Sequence, residues 1–324
     1  MTFLVRLIVL FCAFNLGLVR AQQSFSCEQQ WDKTVFLAKE LNELYVKNGF
    51  SSRVILPTNS APTSFFKVLN RCQAISFGDA QHFAIDFKKD TLDVLEFYDW
   101  TTSNSLDGPT APLYAIKPIS TWSQEKAASL AQECALIFFP EMAKMSKFDG
   151  AIFLTPNRSG LQYKDGQWTV VFRRQSKEGY LFKSDYINIQ LAEQTGPFAG
   201  VMRIPSHFEE RPHHPITKEQ ASLAATKAFA EFRKTSVASW VVDSSTNVKV
   251  IDSPKLEIVD PMDNNAATLE DYIHSQSLEA RLAWVIRYSL ETPSSNSVSS
   301  RLQKASHIEL FVDAENGHLL GAEF

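Results

Sequence analysis

The feature that most constrains the fold is a β-hairpin pattern that occurs twice. In 308–312, apolar residues alternate with polar or mixed ones, which is typical of a strand with one buried face. Asn316 and Gly317 follow, and because both residues tolerate positive φ they predict a tight turn into a second strand. Residues 187–200 carry the same pattern without gaps, with glycines at both matching positions. The repeat therefore predicts antiparallel sheet in more than one unit.

The repeat extends to a strand and a helix that precede each hairpin. The strands are 168–173 and 282–287, and the helices open at Ser123 and Thr217, which are both N-cap residue types. The two helices start 94 residues apart, whereas the two hairpins start 121 residues apart. The last unit is therefore 27 residues longer than the one before it, and we expect an insertion near 261–278.

Helices followed by antiparallel strands predict an α+β fold. Each tandem unit would consist of one helix packed on an antiparallel β-meander. A fainter copy of the hairpin at 83–97 predicts a further unit nearer the N-terminus, and 324 residues are enough for more than one core. The predicted domains are a signal peptide at 1–21, an N-terminal α+β unit at 22–105, and repeat units at 118–205 and 215–324.

The first 21 residues are typical of a secretory signal peptide. Arg6 precedes the apolar run 7–14, and Val19 and Ala21 are small residues at the −3 and −1 positions of a cleavage site. We therefore expect a secreted or periplasmic protein that is cleaved after Ala21. An uncleaved anchor is the alternative, although the apolar run is short for a membrane span. We expect no membrane span after the signal is removed.

Three cysteines remain in the expected mature chain, and an odd count allows one disulfide and one free thiol. Cys134 falls on the apolar stripe of a predicted helix, which favours a buried thiol. Cys27 and Cys72 are then the predicted disulfide pair. Net charge is −4 with no basic patch, which gives no support to a nucleic-acid-binding role.

The sequence offers no assembled catalytic motif. It lacks HExxH, GxSxG, a P-loop and GxGxxG. Adjacent acids such as Glu270 and Asp271 are interpreted as solvated charges. The best metal candidate is a short proline-flanked linker whose charges also serve solvation; it contains His207, Glu209, Glu210, His213 and His214. We assign no catalytic, cofactor-binding or metal-binding residue, and we predict no cofactor.

The helix opening 216–221, the strand 282–286 and the hairpin 311–320 resemble the PepSY family. The tandem arrangement is similar to YcdB/YcdC-type repeats. The resemblance is best over 215–324 and fair over 119–202, and it implies a helix-on-meander fold of the PepSY or cystatin kind. Such domains occur in propeptides of secreted metallopeptidases and in exported bacterial proteins, and they share no common catalytic residues.

The resemblance implies an exported, non-catalytic binding module. We expect a protein or peptide partner, with a peptidase or another envelope protein as the candidates, and no nucleic-acid partner. The contact surface would be exposed strand edges or a groove between units. Two alternatives stay open: a hydrolase or metal-dependent enzyme with a site between units, and a structural envelope component.

Overall fold

The computed structural model confirms the α+β fold class. It describes residues 27–50, 53–56, 74–77, 83–88, 91–99, 120–154, 167–210, 213–234, 247–264, 266, 269–277, 279–291 and 307–323. The predicted signal peptide lies outside the described residues, and so does Cys72 of the predicted Cys27–Cys72 disulfide. No described helix is both long and apolar enough to cross a membrane.

The described helices are α1 (Cys27–Lys47), α2 (Gln124–Phe138), α3 (Pro140–Met145), α4 (Lys218–Phe232) and α5 (Leu269–His274). The described strands are β1 (Ala74–Phe77), β2 (Phe83–Phe87), β3 (Val94–Asp99), β4 (Ser146–Leu154), β5 (Gln167–Gln175), β6 (Leu181–Ala192), β7 (Gly196–Met202), β8 (Asn247–Val250), β9 (Lys255–Val259), β10 (Arg281–Glu291), β11 (His307–Asp313) and β12 (Leu319–Glu323).

The helix ends follow the predicted capping chemistry. Ser123 Oγ accepts a hydrogen bond from the Lys126 backbone N–H at the start of α2. At the start of α4, Thr217 Oγ1 accepts from the Gln220 N–H, and Gln220 Oε1 accepts from the Thr217 N–H. Gly49 follows α1 with a φ of 72°, the left-handed conformation that commonly ends helices.

Two six-residue helices, α3 and α5, are absent from the predicted pattern. Helix α5 lies within 261–278, where we expected the insertion. Six residues span less than two helical turns, so they give no recognisable apolar periodicity. Glu270 and Asp271, interpreted above as solvated acids, lie in the first turn of α5, where carboxylates interact favourably with the helix dipole.

The described residues fall into two compact units. The first unit contains the described residues of Met1–Phe139, Ile152–Thr169 and Ile189–Val201. The second unit contains those of Pro140–Ala151, Val170–Asn188 and Met202–Phe324. The predicted domain boundaries stay a prediction.

In the first unit, β1, β2, β3 and β7 form a run of antiparallel neighbours. Phe97 on β3 stacks on Phe138 of α2 with ring centroids 3.8 Å apart. A Cβ on Gly200 would lie 2.3 Å from Phe97 Cε1, so the ring packs where only glycine leaves room. The turn into β7 needs Gly196, whose φ is 91°.

In the second unit, β9, β10, β11 and β12 form an antiparallel meander, which includes the predicted C-terminal hairpin. Gly317 in its turn has a φ of 77°, as the Asn-Gly pair predicts. One pair departs from the antiparallel pattern, because the start of β6 runs parallel to β9. Helix α4 covers one face of the meander with Phe229 and Phe232, against Ile286 and Leu310 of the sheet.

The insertion closes the outer edge of β12. The Met262 N–H donates to the Leu320 carbonyl at 2.8 Å. The Tyr272 hydroxyl donates to the Ala322 carbonyl at 3.0 Å and accepts from the Ala322 N–H at 2.6 Å. These bonds occupy backbone groups that an edge strand otherwise offers to another chain.

Candidate functional site

The second unit has a charged cleft of about 400 Å³ on the sheet face that points away from α4. We call this feature the charged cleft. Its lining contains four cationic side chains and four carboxylates. The cations are Arg173, Lys183, Lys255 and Arg287, and the carboxylates are Asp149, Asp252, Glu257 and Glu309. The cleft also contains the Tyr186 and Ser253 hydroxyls above a partly apolar floor of Val171 and Val285.

Strand alternation places these charges together. On β10, Ile286 and Tyr288 are buried against α4, so Arg287 between them points to the opposite face. On β11, Glu309 lies between buried neighbours in the same way, and it is directly opposite Arg287 in the register. Opposite charges at facing positions of an antiparallel pair stabilise that register.

Arg173 joins two carboxylates from different strands. Its Nη2 donates to Asp149 Oδ1 at 2.9 Å, and its Nη1 donates to Glu257 Oε2 at 3.1 Å. Burial opposes the charge on Arg173, but the Asp149 and Glu257 carboxylates outweigh it and raise the pKa of the guanidinium. The side chain is only 17% exposed, so this junction is a fixed part of the cleft wall.

Lys183 also contacts two carboxylates. Its ammonium donates to Glu309 and lies 3.0 Å from Glu323 Oε2, while it also sits over the Phe311 ring. Burial would raise the pKa of Glu309, but Lys183 and Arg287 more than offset it and lower that pKa. Glu309 is therefore a firmly ionised acceptor that is already engaged.

The other two cations are less engaged. Arg287 is 41% exposed, and its nearest carboxylate oxygens are 3.6 Å away on Glu309 and 4.0 Å away on Asp252. Both distances exceed that of a hydrogen bond. Lys255 is exposed and forms no ion pair with any residue that the structure describes. The charged cleft therefore contains two cationic side chains, Lys255 and Arg287, that make no side-chain hydrogen bond to a described residue.

The side chains of the charged cleft that belong to nucleophile types are carboxylates, hydroxyls and amines. No histidine or cysteine is among the described residues that line it. Its one serine hydroxyl, on Ser253, accepts from the Lys218 ammonium, a group with no capacity as a base while it is charged. The arrangement is suited to binding polar ligand groups.

Two histidines of the linker that formed the metal candidate pair with glutamates outside that linker. His207 Nδ1 lies 2.9 Å from Glu279 Oε2, and both side chains are largely exposed. The side chain of His213 is 6% exposed. Its Nδ1 lies 3.1 Å from Glu315 Oε1, and its ring stacks on Phe208. Within the described part of the chain, no group of three or more histidine, cysteine, aspartate or glutamate residues could hold a metal ion.

Cys134 lies in the core, as its helical spacing predicts. Its side chain is fully buried, and that burial raises the pKa of the thiol. A thiol held in the neutral form is unreactive.

The two strand tryptophans also have structural partners. Trp168 Nε1 donates to Glu193 Oε1 at 3.0 Å, and Trp284 Nε1 donates to the Ile216 carbonyl at 3.1 Å. Trp100 and Asn157, which begins the N-glycosylation sequon Asn157-Arg158-Ser159, lie outside the described residues.

The sequence analysis did not predict a cluster of hydrogen-bond donors around the Glu193 carboxylate, which lies in the first unit. Glu193 lies in the turn between β6 and β7 and accepts hydrogen bonds from Ser120, Thr121, Trp122 and Trp168. Burial would raise the pKa of Glu193, but these hydrogen bonds outweigh it and lower the pKa to about 2. We call this cluster the Glu193 clamp, because it fastens the turn to the segment that leads into α2.

No protein-family model and no curated protein matches the sequence. Among solved structures, the chain is similar to the Bacillus megaterium YpeB C-terminal domain, with 12% identity, a TM-score of 0.35, and coverage of 77% of this chain and 80% of that one. It is also similar to an uncharacterized protein from Eubacterium rectale, with 10% identity, a TM-score of 0.41, and coverage of 78% and 77%. Membership of the PepSY family stays a prediction.

Proposed function

We propose that this chain is an exported, non-catalytic module that binds a protein or peptide partner through the charged cleft. The observation that carries the proposal is the set of fixed ion pairs around the cleft, with spare donors on Lys255 and Arg287. Pre-positioned charges of both signs give orientation and selectivity to a polar interface. Export rests on the signal-peptide pattern at 1–21.

The state of the carboxylates favours binding over acid–base catalysis. A general acid must carry a proton near the working pH, and the pKa of Glu309 is lowered instead. Asp149 and Glu257 are both tied to Arg173. Carboxylates held in ion pairs orient a ligand or exclude a wrong one.

The cleft is better suited to the partner than the last strand edge. We expected exposed edges to be candidate contact surfaces, yet the insertion occupies backbone groups of Leu320 and Ala322 on β12. A peptide adding to that edge would first have to displace Met262 and Tyr272. The charged cleft is open without any such rearrangement.

A capture experiment with matched variants tests the proposal. The purified protein is immobilised and exposed to the native exported fraction, beside Lys255→Glu/Arg287→Glu and Lys227→Glu. Lys227 is an exposed lysine on α4, the helix that covers the other face of the sheet. We expect the wild type and Lys227→Glu to retain one partner that the double variant loses. Equal capture by all three would exclude the cleft as the contact surface, and capture of nothing would contradict a binding role.

A further inference from the structure

We propose that Lys255 and Arg287 together bind a carboxylate of the ligand, so that the charged cleft selects an acidic peptide segment. This inference rests on the proposed function and narrows its ligand class. It concerns the end of the cleft where the structure leaves cationic donors without hydrogen-bonded partners.

The strand register places the two cations side by side. Lys255 on β9 is directly opposite Val285 on β10, and Arg287 is two residues further along the same strand. Residues two apart on a strand share a face, so Lys255 and Arg287 are diagonal neighbours about 7–8 Å apart at the backbone. Both side chains are long enough to converge on one carboxylate between them.

The balance of hydrogen bonds sets the charge of the ligand. Arg173 and Lys183 already donate to carboxylates, and those contacts use Asp149, Glu257 and Glu309 as acceptors. Among the described residues of the lining, Lys255 and Arg287 make no side-chain hydrogen bond and Asp252 is the one carboxylate in the same state, so the unused capacity is mainly cationic. Glu309 at 3.6 Å and Asp252 at 4.0 Å are the nearest carboxylates to Arg287, and neither makes a hydrogen bond to it that a ligand would have to break. An arginine beside a lysine suits a carboxylate well.

The floor of the cleft indicates which carboxylate fits. Val171 and Val285 are the apolar residues of the lining, and Tyr186 adds a hydroxyl group. A glutamate side chain offers two methylene groups to the valines and a carboxylate to the cations. A uronic acid ring carries hydroxyl groups around its rim that need polar partners, so the two valines favour the peptide over an acidic polysaccharide.

Fluorescence anisotropy on the purified protein tests the inference. Three labelled, end-capped peptides of equal length are compared, with alternating Glu–Ala, Gln–Ala and Lys–Ala sequences. We expect the Glu–Ala peptide to bind at least about tenfold more tightly than the Gln–Ala peptide at low ionic strength, and the difference to shrink as salt screens the charges. An oligogalacturonate competitor is expected to displace it poorly.

Matched variants locate the contact. Lys255→Gln and Arg287→Gln are each expected to weaken Glu–Ala binding about fivefold, as the loss of one exposed ion pair does. Lys255→Arg keeps the charge and should keep the binding, and Lys227→Gln on α4 should change nothing. Circular dichroism confirms that each variant is folded.

Three results would overturn the inference. They are equal binding of the Gln–Ala and Glu–Ala peptides, tighter binding of oligogalacturonate than of the peptide, and unchanged binding by both Gln variants in the cleft. The proposed function fails on different evidence, namely that the capture experiment yields no partner, or yields only partners that the double variant retains equally. A cleft-dependent partner together with no preference for Glu–Ala would reject the carboxylate inference alone.

Discussion

Removing the charge of Glu193 tests whether the Glu193 clamp stabilises the first unit. The carboxylate lies in the turn between β6 and β7 and accepts hydrogen bonds from the segment before α2. In Glu193→Gln, the amide nitrogen replaces one carboxylate oxygen and faces either the Thr121 backbone N–H or the Trp168 indole N–H, neither of which can accept a hydrogen bond. At least one of the Ser120, Thr121 and Trp168 donors then loses its acceptor.

The magnitude follows from the pKa of Glu193. Its value of about 2, against an ordinary 4.5, corresponds to roughly 3 kcal/mol for a fully buried group, because each pKa unit is worth about 1.4 kcal/mol. Glu193 is partly exposed, and solvent screening reduces that figure. We expect Glu193→Gln to lower the free energy of unfolding by about 1–2 kcal/mol at pH 7.

The lowered pKa of Glu193 determines how its stabilising contribution changes with pH. The folded-state pKa of Glu193 is lowered, so its contribution is complete above about pH 4.5 and is lost as the pH falls towards 2. The stabilities of wild type and Glu193→Gln should therefore converge below pH 4.5. Urea unfolding followed by tryptophan fluorescence at several pH values measures both curves, since Trp122 and Trp168 lie in the clamp.

Glu43→Gln is the matched control, because Glu43 is an exposed glutamate on α1 in the same unit. We expect it to change stability by less than about 0.5 kcal/mol at any pH. A difference between wild type and Glu193→Gln that is as large at pH 2.5 as at pH 7 would refute the electrostatic explanation. No difference at pH 7 would refute the clamp itself.

Three further substitutions probe packing, capping and the covered edge, each by thermal unfolding. Gly200→Ala should cost at least about 2 kcal/mol, because its Cβ would lie 2.3 Å from the Phe97 ring; an unchanged melting temperature would mean that the ring moves freely. Thr217→Ala should cost about 1 kcal/mol through loss of the capping box, whereas Thr217→Ser should cost little, and equal losses would contradict the capping role. Tyr272→Phe should cost about 1–3 kcal/mol, because it removes the hydroxyl that bonds both backbone groups of Ala322; a neutral result would show that the insertion does not hold β12.

The predicted insertion near 261–278 shows that the structural role of a length difference between repeats depends on the tertiary fold. The spacing of the two repeats indicates that the last unit is longer and places the additional residues near 261–278. The structure shows that Met262 and Tyr272 from this segment bond to β12. Nothing local to Tyr272 predicts Ala322 as its partner, because the two are 50 residues apart. The insertion serves to cover an edge rather than to offer one.

By itself, the sequence determined the elements whose causes are local. The caps at Ser123 and Thr217, the Asn-Gly turn at Gly317 and the alternation along β10 and β11 all depend on residues within a few positions of one another. That local consistency predicted the α+β class, which the structure confirms, and most helix and strand positions.

Only the tertiary structure decided which distant side chains meet. The Glu193 clamp joins residues 73 positions apart, and Arg173 reaches Glu257 across 84 positions. The charged cleft exists because six strands each contribute charged side chains to one face of the sheet, and their register decides which cations keep free donors. A period of two predicts that such residues point outward; which of them become neighbours depends on strand pairing, which is a property of the whole chain.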